Sequence, residues 1–117
     1  QYKFLDNNGV SLAEGIASFD VEILPDKFMV YNNYPNPFNP VTTIRYDLPE
    51  ISNVDIIIYD LLGRTVRHLD LNKVQAGRHK FTWQGTNDVG NRVSTGIYFL
   101  QLRAGQETQI QKMLLLK

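Results

Sequence analysis

The chain has no cysteine, which excludes disulfides, zinc–thiolate sites and cysteine nucleophiles but leaves the compartment open. It has no excess of either charge, with twelve basic residues against twelve acidic ones. That balance supplies neither the basic footprint of a nucleic-acid binder nor a polybasic patch for an anionic membrane, so neither is expected as a partner. No apolar run approaches the ~20 residues that span a bilayer, and no segment carries a 3.6-residue apolar stripe, so neither a membrane-spanning segment nor a helix is predicted. The absence of an initiating Met or a signal-peptide core at Gln1 suggests a piece of a longer product.

What the chain does have is an ordinary globular composition, 43% apolar and 11% aromatic, and short strand-like segments separated by turn residues. Phe19, Val21 and Ile23 alternate with polar residues in an early strand over residues 17–24, and residues 1–24 as a whole read as a linker, an added edge strand or the tail of a preceding domain. The main domain is expected over residues 25–117. Within it, Thr43 to Leu48 alternates as a half-buried strand, and Val54 to Tyr59, apolar on nearly both faces, reads as a central one. Thr65 to Leu71 follows, where the irregular spacing of Val66 and Leu69 points to a bulge. His79, Phe81 and Trp83 form one aromatic face, and strands over Ile97 to Leu102 and Thr108 to Leu116 close the set. The predicted fold is all-β, an immunoglobulin-like antiparallel β-sandwich of about seven strands, with a closed barrel of six to eight strands as the alternative.

His68 and His79, the only histidines, sit on different predicted strands and offer no supported metal site. No serine has the setting of a nucleophile elbow or a His–Asp partner, so no enzyme activity and no cofactor are expected. Asn87-Asp88-Val89-Gly90-Asn91 has the oxygen ligands of a partial calcium loop but lacks the spaced acids of an EF-hand, and reads better as a turn held by Asx hydrogen bonds. Exposed aromatics in a row would suit sugar rings, although core packing is the simpler reading for Trp83.

The densest motif is Asn33-Tyr34-Pro35-Asn36-Pro37-Phe38-Asn39-Pro40. Fixed proline φ angles and missing donors forbid a helix there and suggest a stiff, polyproline-like run from which Tyr34 and Phe38 project, delivering the chain into a sheet. Its Tyr34 to Pro40 portion, followed by Thr43 to Pro49, Val54 to Asp60 with Gly63, Ala76-Gly77-Arg78-His79, Trp83-Gln84-Gly85, Gly90, Ser94-Thr95-Gly96-Ile97-Tyr98 and Lys112-Met113-Leu114, resembles the C-terminal sorting domains of the bacterial type IX secretion system over residues 28–117.

That resemblance implies a non-catalytic address on a cargo protein lying N-terminal in the parent chain. It implies passage through the periplasm, recognition by the type IX translocon and surface-processing proteins, and a secreted or cell-surface destination. The family's signal blocks fall on Pro35, Asn36 and Pro37, on Gly96, Ile97 and Tyr98, and on Lys112 with the terminal strand. Trp83-Gln84-Gly85 and Gly96-Ile97-Tyr98 are also similar to the immunoglobulin-like domain of flagellar hook-capping proteins, which implies a structural module instead. A carbohydrate-binding or adhesion module of a larger extracellular protein is the further alternative.

Overall fold

A computed structural model describes residues 23–116. The expected early strand therefore lies outside the described residues, save for Ile23 and Leu24, which belong to no strand. Seven strands follow: β1 (Met29–Val30), β2 (Thr42–Leu48), β3 (Ser52–Asp60), β4 (Thr65–Val74), β5 (Gly77–Trp83), β6 (Gly96–Ala104) and β7 (Glu107–Leu115). They form a three-stranded sheet in the order β1-β2-β5 and a four-stranded sheet in the order β4-β3-β6-β7, every pairing antiparallel. This is the expected all-β sandwich.

The core lies between the inner faces. Ile44, Tyr46 and Leu48 from β2 meet Val54, Ile56 and Ile58 from β3, and Leu100, Leu102, Met113 and Leu115 from β6 and β7. The two-residue period of each strand sends these side chains inward and their neighbours to solvent. β3 pairs on both sides, with β4 and with β6, which is why its sequence is apolar on nearly both faces. Its pairing with β4 shifts register between Ile58 and Tyr59, opposite Thr65 to Arg67, where the spacing of Val66 and Leu69 pointed to a bulge.

Both edges of the four-stranded sheet carry partial covers. At β4, Asp88 N–H donates to Val66 O (3.0 Å) and the Asp88 carboxylate accepts His68 N–H (3.0 Å), so the turn over residues 87–91 sits against the edge. Asn87 Oδ1 holds that turn by accepting from Val89 N–H and Asn91 N–H at 3.1 and 2.9 Å, the Asx arrangement expected from its sequence. At β7 the cover is the proline run. Such covers blunt edges that would otherwise recruit foreign strands.

Candidate functional site

The proline run is not the polyproline-like rod expected from its composition. Its Tyr34–Pro35, Asn36–Pro37 and Asn39–Pro40 bonds are cis, and its ends are tied to each other. Tyr34 N–H donates to Thr43 O (2.9 Å) and Thr43 N–H to Tyr34 O (3.0 Å), closing the segment into a loop. Inside it, Thr42 Oγ1 donates to Pro35 O (2.8 Å), while Asn33 Nδ2 donates to Thr42 Oγ1 (3.0 Å) and Pro35 O (3.3 Å). A segment closed on itself by these bonds has no freedom to extend.

The two aromatics also part company. Tyr34 projects as expected, 75% exposed, whereas Phe38 turns inward and is 1% exposed. The reason lies in its neighbours. The Phe38 ring packs against Trp83 at 5.5 Å between centroids, Trp83 meets Tyr98 edge-on at 5.3 Å, and the three fill one end of the core. Trp83 is fully buried, its indole N–H donating to Thr86 O (2.8 Å), and Tyr98 OH donates to Ser94 O (2.6 Å). Trp83 and Tyr98 are thus core residues, and the described surface offers no aromatic row built on Trp83 for a sugar.

The structure brings the three motif blocks together. Gly96, Ile97 and Tyr98 begin β6 and lie opposite Leu115, Leu114 and Met113 of β7, and the next pair is Phe99 with Lys112. On the far side of β7 the proline run docks. Phe38 N–H donates to Leu114 O (3.0 Å), Leu116 N–H donates to Phe38 O (2.9 Å), and Leu114 N–H donates to Asn36 Oδ1 (3.1 Å). Pro35, Asn36, Pro37 and Lys112 are exposed, Gly96 and Ile97 half-buried, and Tyr98 buried. Three segments separated by some sixty and fifteen residues therefore share one corner of the sandwich.

Beside that corner, the turn after β3 displays Leu61 and Leu62, 65% and 77% exposed. Asp60 holds it rigid: its carboxylate accepts from Leu62 N–H (3.0 Å), Arg64 N–H (2.9 Å) and the Arg64 guanidinium (2.7 Å). The turn borders a groove with Ile97 and Tyr98. On the outer face of the same sheet, Tyr59 and Phe99 pair across β3 and β6, with Ile110 (63% exposed) nearby on β7.

Some contributors were missed by sequence reasoning. Gln109 and Gln111 occupy inward positions of β7 and bridge the two sheets: Val30 N–H donates to Gln109 Oε1 (3.1 Å) and Gln111 Nε2 to Val30 O (3.3 Å). Their signal was present, since two polar residues stand in the period that Met113 and Leu115 continue. Asn33 and Thr42, buried at the root of the proline loop, had no such signal.

The histidines do not converge. His68 is on β4, where its Nε2 lies 3.3 Å from Asp55 Oδ1, and His79 is on β5 in the other sheet, stacked on Tyr46 at 5.4 Å. Asp55 is flanked by His68 and Arg103, and these hydrogen bonds hold its carboxyl below the usual carboxylate range. Among the described residues no three His, Cys, Asp or Glu side chains gather at metal-ligand range.

Comparison with known proteins follows the same outline. The basal-body rod modification protein FlgD of Salmonella typhimurium is 39% identical over 51 residues, 44% of this chain, and the chain spans only 22% of that relative. Among solved structures, dimeric latent PorU from Porphyromonas gingivalis aligns with a TM-score of 0.57 and 21% identity, over 72% of this chain and 9% of PorU. PorZ, a surface component of the type-IX secretion system of the same organism, aligns at 0.53 and 21%, over 79% of this chain and 12% of PorZ. At these identities the two structures share the fold. The model of the FlgD Ig-like domain family matches residues 40–108, more than half of the 117 residues, and the chain belongs to that family.

Proposed function

We propose that this domain is a non-catalytic immunoglobulin-like module of an exported or surface-associated multidomain protein, read by other proteins through its outer contour. Family membership favours a structural role of the hook-cap type most directly, because the sequence relative is a flagellar FlgD protein. In that role the domain spaces or rigidifies a larger assembly, and a sandwich with a continuous core and partly covered edges on its four-stranded sheet suits it.

A second reading has its own observation in its favour. The convergence of Pro35-Asn36-Pro37, Gly96-Ile97-Tyr98 and Lys112 on one corner supports a sorting role, in which a type IX translocon recognises the domain and delivers its N-terminal cargo to the surface. A rigid surface loses little entropy on recognition, which suits repeated capture of different cargoes.

The two roles separate in one assay. Residues 25–117 are fused behind a signal-peptide-bearing fluorescent protein in a type IX-competent bacterium. Surface fluorescence supports sorting, and its loss on removal of residues 112–117 ties delivery to the terminal strand. Periplasmic retention of the intact fusion contradicts sorting and leaves the structural role.

A further inference from the structure

The proline run and the end of β7 stand at opposite ends of the described chain. Asn36, Phe38, Leu114 and Leu116 all lie outside the span matched by the family, residues 40–108. Yet these segments touch each other: Phe38 exchanges backbone hydrogen bonds with Leu114 and Leu116 in the manner of a parallel bridge. In a parallel ladder the next acceptor, for Leu114 N–H, is the backbone carbonyl two residues before Phe38, that of residue 36. The structure instead gives Leu114 N–H to the side chain of that residue, Asn36 Oδ1, at 3.1 Å.

We propose that Asn36 is a positioning residue whose side-chain oxygen replaces its own carbonyl as the ladder acceptor, latching the proline run to the terminal strand. The latch holds the exposed Pro35-Asn36-Pro37 surface in fixed register with Lys112, two positions away from Leu114 on the same face of β7. Asparagine fits this task because prolines on both sides leave the run without N–H groups at 35 and 37, and a short amide reaches the edge from a backbone that has turned away. Phe38 is the second half of the latch, its ring seated on Trp83 while its N–H and C=O clamp the strand. Among the described residues, coverage of this edge stops there. Alternate residues of a strand face the same neighbour, so Lys112 and Ile110 direct their backbone groups to this edge beyond the reach of the latch.

Amide hydrogen exchange, read residue by residue by NMR, tests the latch directly. Asn36→Ala is expected to accelerate exchange at Leu114 by about tenfold, the loss of one hydrogen bond, while Met113 and Leu115, which face β6, keep their protection. Asn36→Asp retains an acceptor and is expected to preserve protection at Leu114. Phe38→Leu, which keeps an apolar plug, is expected to loosen Leu116 more than Met113. Unchanged exchange at Leu114 in Asn36→Ala, equal acceleration in the Asp variant, or uniform acceleration across β7 each overturns the proposal.

For the sorting role, and resting on that reading, the latch presents two signal blocks as one surface. Surface delivery of the fluorescent fusion is then expected to fall several-fold with Asn36→Ala and to recover with Asn36→Asp. Delivery unaffected by Asn36→Ala overturns this consequence. Failure of the unaltered fusion to reach the surface sinks the sorting reading and leaves hydrogen exchange to decide the latch.

Discussion

Replacing Phe38 by alanine removes a ring that is 1% exposed and packed against Trp83 at 5.5 Å between centroids. The expected cost is about 3–5 kcal/mol in chemical denaturation, the range for truncating a buried aromatic. A loss under about 1 kcal/mol would mean that the loop is not seated in the core. Asp60 makes a different residue-scale prediction. Desolvation pushes its carboxyl up, but the Arg64 N–H, the Arg64 guanidinium and the Leu62 N–H outweigh it and hold the group below the usual carboxylate range. A depressed carboxyl stabilises the fold above its unfolded-state value and loses that contribution as pH falls through the folded one. Stability is therefore expected to decline below about pH 4. Asp60→Asn, which keeps an acceptor for the turn, should flatten that decline; an unchanged acid limb in a pH series of denaturation curves would remove Asp60 from the account.

At the scale of elements, the loop after β5 is fixed by how closely it approaches the proline run. Gly85 has φ +72°, and a Cβ there would stand 3.2 Å from Pro40 O and 3.6 Å from Leu115. Gly90 has φ +91° with open space around it. Alanine at Gly90 is expected to cost about 1–2 kcal/mol for the left-handed backbone alone, and alanine at Gly85 distinctly more, because a backbone carbonyl must also move. Equal costs by urea titration would contradict the close packing of β5's exit against the proline run. The strands themselves were legible in the sequence, since alternation located β2 to β7 within a few residues and the apolar run over Val54 to Tyr59 marked β3 as central. β1 was not legible, because two residues carry no period. The inward turn of Phe38 was hidden for a related reason. Proline content constrains local φ but says nothing of Tyr34 pairing with Thr43 across the loop, and that pairing aims Phe38 at the core.

For the whole molecule, the site was partly legible: the blocks around Asn36, Gly96 and Lys112 stood out as motifs, but their meeting at one corner depends on sheet order, which local patterns do not fix. β7 lies between β6 and the proline run only because β3 and β6 pair in the middle of the four-stranded sheet. The resulting corner joins a rigid proline loop, a buried aromatic trio and the terminal strand, with Leu61 and Leu62 displayed beside it. Zero formal charge and partly covered edges are the features on which the proposed recognition by shape and short polar contacts rests. The absence of cysteine makes that geometry directly measurable, because one introduced thiol labels one place. A nitroxide on Lys112→Cys is expected to broaden the NMR amide signals of Asn36, Phe38, Ile97 and Phe99 strongly while leaving those of Lys73 and Gln75 sharp. Sharp signals at Asn36 and Phe38 would contradict the meeting of the three blocks on which the account rests.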